Sequence, residues 1–187
     1  LYKQIIFSNQ FLLMRLNQLK SGLLAFSLAV LCFVVNACGQ DKSSRPSPPA
    51  TATGTINGTT VTINYSQPSV KGRKIWGGVV PYGQVWRSGA NEATTIEFSK
   101  DVKVEGATLP AGKYGFFTLP GENEWVIIFN KVSDQWGAFK YDAAQDALRV
   151  KVKPQTSKAS NEKLLYTIDK SKVNLFWENL EVSFSVK

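Results

Sequence analysis

From Thr55 onward, apolar and polar positions alternate with a period of two, the repeat of a β-strand and not of a helix. Val61, Ile63 and Tyr65 alternate with Thr60, Thr62 and Asn64, behind an Asn57-Gly58 pair. Asn-Gly accepts the positive φ angles of a tight type I′ turn, so residues 55–56 are expected to pair with 59–65. Ile96 and Phe98 alternate with Thr95 and Glu97, and Val102 and Val104 follow before a turn at Gly106. Leu109-Pro110-Ala111-Gly112 is a turn leading into a strand over 113–119, and Pro120-Gly121 is another turn. Residues 125–130 are apolar on both faces, which predicts a central strand buried on both sides. Leu148, Val150 and Val152 point one way and Arg149, Lys151 and Lys153 the other, and strands over 164–168, 173–177 and 180–186 complete the set. No twelve-residue window is convincingly amphipathic as a helix; residues 142–147 are expected to form at most one short turn. The pattern predicts an all-β fold: a single antiparallel β-sandwich domain over 55–187, with barrel-like closure as the alternative.

The first 54 residues follow another pattern. Met14 is the only methionine, and a secretory signal reads from it. Arg15 and Lys20 supply the positive start, and residues 22–35 form an apolar run, shorter than the roughly 20 residues of a membrane-spanning helix. The run ends in Val35-Asn36-Ala37-Cys38-Gly39, which resembles the lipobox of bacterial lipoproteins. The resemblance implies lipid attachment at Cys38, with residues 1–37 as a cleaved signal segment; an incidental cysteine after an ordinary cleavage site is the alternative. Residues 38–54, rich in Ser, Pro, Ala and Thr, read as the lipidated terminus and a flexible linker.

Composition narrows the chemistry. The formal charge of the 187-residue chain is +8, and residues 1–37 hold Lys3, Arg15 and Lys20 with no acid, which leaves +5 spread thinly over the rest. Without a basic stripe or a recognisable module, nucleic acid is not an expected partner. There is no histidine, and of the two cysteines Cys32 lies inside the signal. Zinc sites and the usual His-based triads are therefore excluded by inventory, and no cofactor is expected. Asp134, Asp142 and Asp146 lack the dense oxygen spacing of a calcium loop and read as solvated loop acids. Arg149, Lys151 and Lys153 read as a solvated strand face.

One segment is distinctive: residues 64–77, Asn-Tyr-Ser-Gln-Pro-Ser-Val-Lys-Gly-Arg-Lys-Ile-Trp-Gly, continued by Val80-Pro81-Tyr82-Gly83 and Val85-Trp86-Arg87-Ser88-Gly89-Ala90-Asn91-Glu92-Ala93-Thr94. With Ala111-Gly112-Lys113-Tyr114 and residues 125–131, it resembles the family called domain of unknown function 2911. The resemblance runs from about Thr60 to Lys153 and extends to the C-terminal strands. It implies an exported bacterial β domain, often a lipoprotein, and no particular activity.

The candidate site is the long, aromatic, Gly/Pro-punctuated loop over 68–93, together with Trp136 in a later loop. Arg73, Trp76, Tyr82, Trp86, Arg87, Asn91, Glu92 and Trp136 are the candidate ligand-binding residues: rings cover the apolar face of a sugar, and forked polar groups bond its hydroxyls. The structural alternative makes Trp76 and Trp86 core plugs, with Arg87 and Glu92 as an ion pair pinning the loop. Three functions stay open. The first is a non-catalytic binding module of the cell envelope for a glycan or protein, lipid-anchored at Cys38, with the outer membrane as the expected location. The second is a carboxylate-dependent enzyme on envelope polysaccharide using Glu92, although no catalytic constellation can be assembled and no catalytic residue is assigned. The third is a structural or assembly component pairing through a β edge.

Overall fold

The computed structural model describes residues 41–187; the signal segment and Cys38 lie outside the described residues. After a 3₁₀ turn at Lys42–Ser44, ten strands follow: β1 (Pro49–Ile56), β2 (Thr59–Ser66), β3 (Thr95–Phe98), β4 (Val102–Val104), β5 (Ala107–Leu109), β6 (Gly112–Leu119), β7 (Trp125–Asn130), β8 (Asp146–Val152), β9 (Gln155–Ile168) and β10 (Lys172–Ser185). No α-helix occurs among the described residues; a second 3₁₀ turn, Ala143–Gln145, occupies the one place where a short turn was expected.

Six strands form an antiparallel sheet in the order β1-β2-β3-β6-β7-β8, which leaves β1 and β8 as free edges and does not close into a barrel. The long β9–β10 hairpin is the second layer of a sandwich-like fold. The small β4–β5 hairpin extends β10, since Lys103 and Lys187 exchange backbone hydrogen bonds at 2.7 and 2.9 Å. At the first hairpin, Asn57 (φ 49°) and Gly58 (φ 77°) adopt the type I′ turn that the dipeptide predicts. Three boundaries differ from expectation, the first being β9, which begins at Gln155 and not at 164. β1 starts at Pro49, inside the stretch read as linker, because residues 49–54 pair with 61–66 in register. The two C-terminal segments are one strand, β10, bent by a bulge at Glu178 (φ 55°).

The alternation sets the layers. Val61, Ile63, Ile96, Phe116, Ile127, Phe129 and Val150 face the hairpin, meeting Leu164, Tyr166, Leu175, Trp177 and Phe184 in one core. Phe116 stacks on Phe184 at 5.8 Å between ring centroids. On the opposite face, Phe117 and Ile128 are fully buried as well, under Val85, Ala93, Ala138 and Tyr141 from two loops. The apolar run of β7 is thus explained: its second face is roofed by loops and not by a third sheet. Gly115 on β6 makes the close approach feasible, for a Cβ there would lie 2.5 Å from the Val132 carbonyl oxygen and 2.9 Å from the Phe117 ring. Gly115→Ala should therefore lift the 131–141 loop and cost about 1–3 kcal/mol, the usual range for overpacking. Urea denaturation midpoints of the variant and parent check this; equal midpoints would mean the roof is loose.

Candidate functional site

The aromatic loop after β2 turns inward. Trp76 and Trp86 from the loop, Trp125 from the sheet and Trp177 from the hairpin form one cluster. Trp76 lies edge-on to the other three at 5.9, 5.1 and 5.8 Å, and Trp86 stacks on Trp177 at 5.8 Å with 15° between planes. The indole N–H of Trp86 donates to the Gly89 carbonyl at 3.1 Å. Those of Trp76, Trp125 and Trp177 are buried without an oxygen acceptor, and edge-to-face packing offers them neighbouring π faces instead. Behind the cluster, buried Ser88 (φ 54°) accepts at its carbonyl from Tyr166 Oη at 2.7 Å and Thr94 Oγ1 at 3.0 Å. The loop is a plug: Trp76 is buried in the core, and Trp86 is partly buried against it.

The remaining candidates scatter. Arg73 closes its own turn, donating to the carbonyls of Ser69 and Val70 at 2.6 and 3.1 Å. Tyr82 is exposed beside Gly77. Arg87 is half-buried, has no acidic partner among the described residues, and its Nε is buried without an acceptor; burial pulls its guanidinium below the ordinary value. The expected Arg87–Glu92 pair does not form.

Glu92 is held by the chain's own N-terminal segment. Lys42 Nζ lies 2.8 Å from Oε1, and Arg45 Nη1 lies 3.0 Å from both carboxylate oxygens. Asn91 Nδ2 donates to the Ser47 carbonyl at 2.9 Å, and the Gln67 N–H donates to Pro48 at 2.8 Å. Residues 42–48, expected to be free linker, are thus clasped to the domain through two of the candidate ligand-binding side chains. The Lys42 hydrogen bond, reinforced by Arg45, depresses the Glu92 carboxyl to about 2.

Beside the clasp lies a groove of about 410 Å³ on the outer face of the sheet. Strand pairing sets Asn64 against Thr95 and places Lys113 on the next strand. These three side chains meet Ser133, Asp134 and Gln135 from the 131–141 loop, with Glu92 and Lys42 completing the lining. Trp136 stands at the rim, bridged through its backbone to Glu92 and 56% exposed. The alternation of Asn64, Thr95 and Lys113 with core residues assigns them to the outer face, but only the register of β2, β3 and β6 makes them neighbours.

A polar network anchors the far end of the roofing loop. Asp146 accepts from Tyr141 Oη and Arg149 Nε, each at 2.6 Å, and from Asn130 Nδ2 at 2.8 Å. Burial first, and then the Asp146 carboxylate, push the Tyr141 hydroxyl up to about 12. Asp146, whose side chain is only 7% exposed, is therefore a buried hub and not the solvated acid expected, whereas Asp134 and Asp142 are exposed. Arg149 and Lys151 do lie on the exposed face, but paired with Asp146 and Glu124 at 2.6 and 2.8 Å. Among the described residues, no cluster of three His, Cys, Asp or Glu side chains could hold a metal ion.

These features define a sandwich-like β domain whose aromatic loop packs two tryptophans against its core and whose open polar groove lies on the opposite face of the sheet. The chain belongs to the family described as protein of unknown function DUF2911, whose family model matches residues 47–186. That span takes in β1 and the end of the clasp, well beyond the region that carried the resemblance. No curated protein and no solved structure matches the chain.

The clasp has a definite pH signature. A depressed carboxyl contributes stability that is fully present above its ordinary value of 4.5 and is lost as pH falls through about 2. Because Glu92 is 38% exposed, solvent screening keeps the effect at about 1 kcal/mol or less. Glu92→Gln should lower the denaturation midpoint slightly at neutral pH, and the difference from the parent should vanish toward pH about 2. A difference that does not depend on pH would mean that the clasp bonds contribute nothing.

Proposed function

We propose that this chain is a lipid-anchored protein of the bacterial cell envelope that works as a non-catalytic binding module, taking a hydroxyl-rich glycan in its outer-face groove. The groove itself carries the reading. It combines donors at Lys113 and an amide at Asn64 on the sheet with acceptors at Asp134 on the 131–141 loop, open to solvent. Hydroxyl recognition needs that mixture of donors and acceptors. The lipobox-like segment ending in Cys38 supports the anchor, and an outer-membrane location goes with it.

The carboxylate-enzyme reading loses support from Glu92. A general acid must be protonated near neutral pH, and a general base works best with a value close to the working pH. A carboxylate held at about 2 by Lys42 and Arg45 meets neither need.

Calorimetric titration of the protein with peptidoglycan fragments and envelope polysaccharides tests the proposal. Saturable heat is expected, weakened about tenfold in Lys113→Ala, since loss of one charge-assisted hydrogen bond is worth about 1.5–3 kcal/mol. The unfolding midpoint should not change, because Lys113 is exposed. Binding that survives both Lys113→Ala and Asp134→Ala would move the site away from the groove. No heat with any glycan would sink the glycan reading and turn attention to a protein partner.

A further inference from the structure

We infer that the clasp orients the domain on its membrane, so that the tip carrying Trp136 and Phe139 is seated in the headgroup layer of an anionic bilayer. The inference rests on the lipid anchor proposed at Cys38.

Three residues lie between Cys38 and Lys42, so the two are four chain steps apart. That span is at most about 14 Å, whatever conformation it takes. While Lys42 Nζ is paired with Glu92 at 2.8 Å, a lipid at Cys38 stays within that reach of the Lys42 backbone, on the side of the domain that carries the clasp. The exposed aromatic residues occupy that same place. Glu92 is bridged to Trp136, and the Gly137 N–H donates to the Asn91 carbonyl at 3.1 Å. A Cβ at Gly137 would lie 3.2 Å from the Phe139 ring and 3.5 Å from Arg87 Nη1. Phe139 is 85% exposed and Trp136 56%, the two largest exposures among the large apolar side chains described.

Nothing in the fold rewards a phenyl ring held in water at that degree of exposure. An interface does, because aromatic residues partition into the headgroup layer. The charge around the tip suits an anionic surface. Lys140 follows Phe139 in the chain, and Arg87 stands beside Gly137 without an acidic partner among the described residues, while Lys131 and the exposed Asp142 lie at the base of the loop. Each cation near such a surface adds to the attraction. Glu92, bridged through its backbone to Trp136, is already paired with Lys42 and Arg45. Asp134 opposes this attraction and lines the groove to one side.

The full chain is processed in cells, purified in detergent and reconstituted into phosphatidylethanolamine–phosphatidylglycerol vesicles, with or without bromine on the acyl chains. Two readouts are kept apart. Sedimentation with vesicles, abolished by Cys38→Ser, reports the anchor. Quenching of tryptophan emission by the brominated lipid reports orientation, because the other indoles are packed in the core cluster. Sedimentation with quenching that is largely lost in Trp136→Phe is expected, and Glu92→Lys, which opens the clasp by charge reversal, should sediment as before but quench less. Sedimentation without quenching, or equal quenching in Trp136→Phe, overturns the orientation while leaving the anchor intact. Undiminished quenching in Glu92→Lys overturns the role of the clasp. Failure of the parent protein to sediment removes the anchor and this inference together.

Discussion

Four indoles hold three separate stretches of chain in one place. Trp125 belongs to the sheet, Trp177 to the covering hairpin, and Trp76 and Trp86 to the long loop between β2 and β3. Burying rings of this size contributes on the order of 2–3 kcal/mol each, and edge-to-face pairs add to that through their quadrupoles. The short β3 follows that loop directly, so the seat of the loop and the pairing of β3 with β2 depend on one another. Once Trp86 is inside, strand-like alternation sends Val85 and Arg87 to the other side. There Val85 joins the roof over Phe117 and Ile128. One packing event therefore closes the sandwich and begins to cover the sheet's second face.

The strands were legible because period-two alternation is a direct consequence of a half-buried sheet. Asn57-Gly58 and Glu105-Gly106 turn where left-handed φ values are needed, and β7 reads as buried on both faces because it is. The long hairpin was harder to see. Residues 155–163 are polar and mostly exposed, so no periodic signal marks them as strand, and Glu178 interrupts the alternation of β10 with its bulge. β1 was hidden for a similar reason. Its Ala, Thr and Gly positions are small and mostly half-exposed or exposed, a composition that a tether shares.

The site was less legible, and the reason is physical. Tryptophans beside arginine, asparagine and glutamate describe a sugar platform and an inward-turning plug equally well, since both need wide rings and polar groups to satisfy a bent backbone. Only three-dimensional packing separates them, and here it assigns Trp76 and Trp86 to the plug. The groove lay in residues with no distinctive local signal. Asn64, Thr95 and Lys113 are ordinary outward positions on three strands, and pairing alone assembles them. Glu92 was singled out for its setting, but its partners are fifty and forty-seven residues earlier in the chain, beyond any local pattern.

The clasp and the strand that follows it differ in strength, and that difference bears on access to the groove. β1 is tied by a continuous ladder from Pro49 to Ile56. Among the bonds that hold residues 42–48 are two ion pairs of a partly exposed carboxylate, one side-chain amide bond and one backbone bond. Exposed ion pairs contribute about 0–1 kcal/mol each, so opening these pairs costs less than fraying a continuous ladder. Lys42 lines the groove, and opening the clasp removes that wall and frees the Glu92 carboxylate. A ligand able to supply its own cation or hydrogen-bond donors to Glu92 competes with the tether for the same acceptor. Occupancy of the groove and attachment of the tether are then linked equilibria, each weakening the other by the same factor.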